Sequence, residues 1–316
     1  MRKLGHLVLR REGVLRKSLA RILLSSKDAF IGGQAVIEGV VIRSKERIAI
    51  AVRGKDGSIK VKSWGVKPYT SINPILGFPI IRGLVALYDA IYWGIKGLFY
   101  SANEALDDSE KISLKEVVGG VVLAFALAIG LFVILPALLA HLLEVNMELG
   151  KLSLNLIEGG FRVLTFIAYL LIISFSKEVR RIFSYHGAEH KTINAYEALR
   201  SEITPEVVQS YSRFHYRCGT SFMLLVLIIS IACFTLFERE NVIGRLFMRL
   251  ALIPLIAGIS YEVLRLSFSF KIIRFLALPG LWLQYLTTRE PMIEQIEVGI
   301  AALKGALGDV GEVKEA

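Results

Sequence analysis

Cysteine is nearly absent from this chain, with only Cys218 and Cys233 in 316 residues. Two distant thiols cannot form the disulfide framework that staples small secreted domains. Histidine is scarce too, with five in all. The N-terminus lacks the uninterrupted apolar core and small-residue cleavage site of a secretory signal. No internal repeat is visible, which argues against a solenoid or an array. Between Val117 and His141 there is no charged residue, a pattern foreign to a solvated helix.

What is abundant is apolar sequence. The chain is 54% hydrophobic and its mean hydropathy is +0.55, above the usual soluble range of about 45–50% apolar. The surplus lies beyond residue 118, in four blocks: Val117–Leu143, Phe161–Phe175, Ser221–Phe237 and Leu246–Val263. A spanning helix needs about 20 apolar residues. The first block passes easily and the next two are short. The fourth is interrupted by Arg249 and Pro254. One such block could be a buried soluble helix; four together predict a mainly α, polytopic membrane protein with about four transmembrane helices, in the cell membrane. The lipid bilayer is its first partner.

The formal net charge is +10. Nucleic-acid binding is one reading of a basic chain. Here the cations flank the apolar blocks, so the positive-inside rule accounts for them and no nucleic acid is expected. Lys177, Arg180, Arg181, Lys191, Arg200 and Arg213 lie between the second and third blocks. Four crossings with both termini in the cytoplasm satisfy this pattern. The link Glu238–Arg245 fits least, because it places Arg239 and Arg245 outside.

The spans divide the chain. Residues 1–29 read as a basic amphipathic segment lying on anionic lipid headgroups, with a frayed basic tail as the bland alternative. Residues 30–70 read as a small cytoplasmic β region: Ile48, Ile50 and Val52 alternate with smaller residues, and Lys55-Asp56-Gly57-Ser58 makes a hairpin turn before Ile59 and Val61. Residues 73–106 begin with Asn73-Pro74 and Phe78-Pro79, then continue as an apolar helix from Ile80. Arg82, Asp89 and Lys96 lie along it, and charges at mid-depth cost about 2–3 kcal/mol or more each. An interfacial or re-entrant helix fits better than a fifth span. Residues 117–263 form the four-span bundle, with a cytoplasmic His/Cys loop at 177–220. Residues 264–316 form a cytoplasmic helical region, with a helix start at Thr287–Pro291 and a last helix carrying Ile293, Ile296, Ile300 and Leu303.

The chemistry gathers in the loop. His186-Gly187-Ala188-Glu189-His190 precedes His215-Tyr216-Arg217-Cys218. On a helix, His186, Glu189 and His190 share one face, extended by Asn194 and Glu197. Two histidines four apart can hold one metal ion, and the glutamate beside them can serve as general base. A third ligand from His215 or Cys218 leaves an open catalytic position; all four close the site and make it structural. The candidate ligands are therefore His186, His190, His215 and Cys218, with Glu189 as candidate catalytic base and a divalent metal such as zinc. The plainer readings are hydrogen bonding by the two helix histidines and packing by Cys218. Glu262, after the fourth block, is either a distant ligand or the ion-pair mate of a loop arginine.

Several motifs give the chain a family resemblance: Gly32-Gly33-Gln34-Ala35-Val36-Ile37-Glu38-Gly39-Val40, Tyr185 to Lys191, His215 to Phe222, Gly258-Ile259-Ser260-Tyr261-Glu262, Pro279 to Gln284, and Leu286 to Pro291. Together they resemble the YqhQ-like family of bacterial integral membrane proteins, a family of unknown function described as predicted metal-dependent enzymes. The resemblance runs from about residue 30 and implies a polytopic membrane protein. Glu38, Arg43, Gln284 and Glu290 lie in or beside these motifs and are candidates for lining a cytoplasmic pocket. Three functions remain open at this point. One is metal-assisted hydrolysis of a membrane-associated substrate. The second is a non-enzymatic assembly or scaffold role with a structural site and a protein partner or oligomer. The third, transport along Arg249 and Glu262, is disfavoured by the few ionisable residues in the first three blocks.

Overall fold

Four short strands open the structure: β1 (Gly32–Val36), β2 (Gly39–Arg43), β3 (Arg47–Arg53) and β4 (Ile59–Gly65). The computed structural model describes residues 31–67, 69, 72–105, 111–146, 150–201, 203–236, 242–269 and 275–308. The basic segment expected at 1–29 lies outside the described residues. The strands pair antiparallel in chain order, as the alternation predicts. The predicted Asp-Gly turn joins β3 to β4, with Ser58 donating its amide and hydroxyl to Asp56 Oδ1 (3.1 and 2.7 Å). Gly57 there takes a left-handed φ of 79°, which glycine alone adopts without penalty.

Both faces of this sheet are covered. The chain forms helices α1 (Ile81–Ala105), α2 (Leu114–Ile129), α3 (Leu135–Asn146), α4 (Lys151–Ile173) and α5 (Lys177–Leu199). After them come α6 (Pro205–Gln209), α7 (Gly219–Leu236), α8 (Val242–Ser269), α9 (Leu278–Thr287) and α10 (Ile293–Leu307). Val40, Ile42, Ala49 and Ala51 pack against α5 and α10 through Tyr185, Ile193, Ile296 and Leu303. Val36, Val41, Ile48, Ile50 and Val52 pack toward Trp93 and Tyr100 of α1. The small Ala49 and Ala51 and the large Ile48 and Ile50 of β3 thus serve opposite helices. α10 carries the predicted Ile296, Ile300 and Leu303 inward, while Ile293 stays exposed.

Among the described residues, four helical segments are long and apolar enough to cross a membrane: Leu114–Val145, Leu152–Ile173, Gly219–Leu236 and Ile243–Ser267. They coincide with the four predicted blocks but extend beyond them. The second begins well before Phe161 and carries Glu158 and Arg162 inside. The fourth runs through Arg249 and Pro254 without a break. The first contains a π turn at Gly130–Ile134 between α2 and α3.

The extensions are possible because the charges are paired, one carboxylate serving two guanidinium groups. Arg162 donates to Glu158 Oε1 (2.6 Å), to Ser230 Oγ (3.2 Å) and to the carbonyl of Phe132 in the π turn (2.9 Å). Arg249 of α8 donates to the other oxygen of Glu158. Both guanidinium groups lie near the Phe234 ring, at 4.9 and 5.6 Å. All three charged side chains are buried. Glu158→Gln would leave two buried cations without a counter-charge, a loss of about 3–5 kcal/mol for a broken buried pair. The expected result is a clear fall in the thermal unfolding midpoint of the detergent-purified protein. Replacing all three residues with apolar side chains of similar volume should cost far less.

Candidate metal centre

The site is built on α5. Ser176 caps its N-terminus, accepting from the Val179 amide (3.4 Å), and Arg200 ends it in a left-handed turn at φ 54°. Between these caps, Tyr185 and residues 187–193 are buried. The predicted stripe holds together: His186, Glu189, His190, Asn194 and Glu197 face the loop that leads to α7. Asn194 Nδ2 donates to the carbonyls of Ser212 (2.7 Å) and Phe214 (3.1 Å). Glu197 pairs with Arg217. The loop is thereby drawn along the helix until Cys218 stands beside His186.

Three donors meet there. One ligand atom from each of His186, His190 and Cys218 lies within 4.8 Å of the others, an arrangement that could hold a metal ion. His186 Nε2 is 3.1 Å from Cys218 Sγ, and the two imidazole rings are 4.3 Å apart between centroids. Both rings are held from behind. His186 Nδ1 donates to the carbonyl of Thr287 (2.8 Å), and His190 Nδ1 donates to that of Arg213 (2.6 Å). A ring that donates through Nδ1 presents Nε2 as its lone pair once neutral, the form that ligates a metal.

The electrostatics follow from burial and proximity. Burial works against ionising the Cys218 thiol, but His186 and His190 outweigh it and bring it well below the ordinary thiol range. The sulfur also sits at the start of α7, where it accepts from the Thr220 amide (3.5 Å) and lies 3.2 Å from its hydroxyl. A helix N-terminus favours the anion. Burial likewise opposes charge on His186, yet the thiolate raises it to about 9. Burial pushes the Glu189 carboxyl up and pushes His215 down. Glu189 is 4% exposed, and among the described residues no hydrogen bond reaches its carboxylate. Gly33 of β1 stands against it; a side chain there would come within 2.9 Å of Glu189 Oε1.

The remaining candidates have other places. His215 is buried with its ring 5.5 Å from that of His190, beside the three donors rather than among them. Gln284 holds its backbone at both ends, accepting from His215 N (2.9 Å) and donating to His215 O (2.8 Å). Glu38 occupies the tight β1–β2 turn at φ 51° and accepts from Arg181 and, at 3.1 Å, from the Tyr185 hydroxyl. Arg43 pairs with Asp89 of α1. Glu262 pairs with Arg82, whose Nε donates to Oε1 at 2.6 Å, and not with the loop's Arg217. Glu290 is exposed and pairs with the buried Lys191. The pocket-lining candidates are thus mostly braces around the centre.

Sequence reasoning missed the backbone acceptors. Thr287–Pro291 was expected to start the last helix, but that helix begins only at Ile293. The stretch is instead a strap tied to the centre: Thr287 O accepts from His186, Thr288 O from Arg213, and Arg289 N donates to Phe183 O (2.9 Å). A carbonyl acceptor carries no side-chain signature, so no pattern of residues could have revealed it. Gly187 was the available clue, because a Cβ there would lie 2.0 Å from Arg289 O.

A family model described as "Protein of unknown function (DUF1385)" matches residues 78–309, a stretch containing every donor of the cluster and the whole strap. The uncharacterized protein YqhQ of Bacillus subtilis (strain 168) is 37% identical over 295 residues, covering 87% of this chain and 92% of that protein. No solved structure matches the chain.

The contact at Gly187 gives a test of the assembly. Gly187→Ala should push the strap from α5 and remove the acceptor that orients His186. Cys218, buried in the native protein, should then react with an aqueous thiol reagent at least several-fold faster, with helix content by circular dichroism unchanged. An unaltered rate would show that the strap does not hold the centre closed.

Proposed function

The chain belongs to this family of proteins of unknown function (DUF1385), and from the geometry of its His–Cys cluster we propose a multi-pass membrane protein that holds a divalent cation, zinc by preference. The proposed activity is metal-dependent hydrolysis of a membrane-associated substrate. One observation carries the metal part. Two imidazoles are locked by backbone carbonyls with their second nitrogens turned toward one sulfur, and their proximity lowers its thiol well below the ordinary range. Two imidazoles and a thiolate are a donor set suited to zinc. Donors of a tetrahedral zinc site lie about 3.5 Å apart, given bonds of about 2.0–2.3 Å. The 3.1 Å between His186 Nε2 and Cys218 Sγ is close to this, so small side-chain adjustments bring them to it.

A bound cation supplies Lewis acidity, polarising a carbonyl or phosphoryl oxygen and making a water acidic near neutral pH. Glu189 is the proton acceptor in this reading. Among the described residues no hydrogen bond commits its carboxylate, and burial raises its proton affinity toward the range useful for a general base. His186, the partly exposed member of the cluster, marks the approach.

A second reading has a specific observation behind it. Glu189, His190, His215 and Cys218 are all buried, and His215 stands where it could complete a closed four-ligand site, which would be structural. The protein would then be an assembly or scaffold component, braced by its metal.

The membrane part rests on the four long apolar segments, and the basic loop around the centre supports a cytoplasmic site with both termini on the same side. Arg245, on the link expected outside, pairs with Glu144 at the end of the first segment (3.0 Å). This offsets the charge that fitted the topology least.

Metal analysis tests the first claim. Detergent-purified protein should contain close to one equivalent of zinc or another divalent metal, and His186→Ala and His190→Ala should lose it. A metal-free native protein would sink the proposal. Glu189→Gln should keep the metal yet lower turnover of a chromogenic ester or phosphoester panel by about 10²–10⁴-fold; turnover equal to the native protein's would favour the bracing reading. Cysteine labelling at residue 200 should report the cytoplasmic side, and external labelling in intact cells would reverse the topology.

A further inference from the structure

The segment between the sheet and the first long apolar helix has a face that, among the described residues, no protein group covers. Ile72, Ile75, Phe78 and Ile81 are exposed, Phe78 at 59%. Tyr88, at 60%, and Tyr92 continue that exposure along α1. An apolar face of this size on a monomer calls for an occupant. Resting on the membrane reading above, we infer that residues 72–96 form a wedge inserted obliquely into the cytoplasmic leaflet of an anionic bilayer, with Ile75 and Phe78 in the hydrocarbon and Tyr88, Trp93 and Lys96 at the headgroups.

Continuity with the apolar bundle supplies the first argument. The start of α1 packs tightly on α8: a Cβ on Gly258 would come within 2.4 Å of Ile80 Cγ2, and one on Gly83 within 2.9 Å of Tyr261 Cβ. Gly258 and Tyr261 lie well inside the segment Ile243–Ser267. Whatever surrounds that part of α8 also surrounds Ile80 and Phe78. Close approach through small residues is the usual way for helices to associate in lipid.

Hydrogen bonding supplies the second. Irregular backbone survives in hydrocarbon only if its polar groups are satisfied. Here the Ile75 amide donates to Asn73 Oδ1 (2.9 Å). Leu76 donates to Asn73 O, Phe78 to Ile75 O, Ile81 to Pro79 O and Arg82 to Phe78 O, all between 2.9 and 3.1 Å. Pro74 and Pro79 have no amide to satisfy. The charges that argue against a fifth span are paired as well, Arg82 with Glu262 and Asp89 with Arg43.

The third argument is the order of residue types. Beyond the aliphatic end comes an aromatic cluster in which Tyr69, Tyr88, Tyr92, Trp93 and Trp64 follow one another in ring contact. Lys96 Nζ lies over Trp64 (4.7 Å) and Trp93 (5.2 Å), and Lys62 Nζ over Trp64 (5.5 Å). Apolar residues, then tyrosine and tryptophan, then lysine is the sequence of layers at a membrane surface. The cations complement anionic headgroups. From Ile81 to Lys96 the helix rises about 22 Å, against about 15 Å for the hydrocarbon of one leaflet, hence the oblique entry.

Nitroxide labels test the depth. Phe78→Cys, Tyr88→Cys and Leu127→Cys are each labelled and reconstituted into vesicles of phosphatidylglycerol and phosphatidylcholine in equal parts. Unmutated protein, whose two cysteines are buried, serves as the background. The expected result is that the labels at 78 and 127 relax strongly with oxygen and weakly with a water-soluble nickel chelate, while the label at 88 is intermediate. A label at 78 open to the chelate, with that at 127 still in hydrocarbon, would overturn the wedge and leave the membrane reading intact. Labels at both 78 and 127 open to the chelate would overturn both. A label at 78 shielded from both relaxants would overturn the wedge in favour of a protein contact. For the charge component, Lys62→Gln with Lys96→Gln should raise chelate access at 88 several-fold in these vesicles; unchanged access there would remove the anionic headgroup from the proposal.

Discussion

The contact between Gly187 of α5 and the carbonyl of Arg289 is the constraint on which the centre depends. It is a backbone-to-backbone approach that any side chain would block. Through it the strap Thr287–Pro291 lies directly on the helix, and so Thr287 O reaches His186 Nδ1. The other imidazole is held in the same way by Arg213 O, from a loop that Asn194 and Gln284 fasten on either side of it, at Ser212, Phe214 and His215. Orientation of the two rings is therefore a property of three chain segments pressed together. The side chains that would bind metal are positioned by groups having no metal chemistry of their own.

Burial then does the electrostatic work. A solvated thiol near two imidazoles would shift little, because water screens such pairs. In the packed interval between α5, α7 and the strap, the same three groups polarise one another strongly enough to favour a thiolate beside a charged imidazole. Glu189 responds oppositely: with no hydrogen-bond donor among the described residues, desolvation dominates and its carboxyl holds its proton more firmly. One low-dielectric environment thus gives neighbouring groups different protonation tendencies, according to whether burial or the neighbouring charges dominate at each.

The same rule governs the apolar bundle. Glu158, Arg162 and Arg249 are tolerable there only as a set, with the π-turn carbonyl of Phe132 and the Ser230 hydroxyl accepting from the remaining guanidinium N–H groups. Read along the chain, each charge looks like the end of an apolar block, which is why the second block was expected to start at Phe161 and the fourth to break at Arg249. Arg82 and Asp89 likewise find their partners, Glu262 and Arg43, far away in the chain. A charge is expensive in an apolar medium when alone, and sequence shows it alone.

What the sequence determined by itself is periodic or local. The strand alternation around Ile48–Val52, the Asp-Gly turn, the four apolar lengths and the one-face spacing of His186, Glu189 and His190 follow from geometry within a single element, and each recurs in the structure. Only the tertiary structure decided that Cys218 rather than His215 closes the three-donor cluster, that Gln284 braces instead of lining a pocket, and that Thr287–Pro291 is a strap and not a helix start. The reason is physical. Those outcomes depend on backbone carbonyls and on charges brought together from distant segments, and neither a carbonyl's direction nor a distant partner is encoded in the spacing of neighbouring side chains.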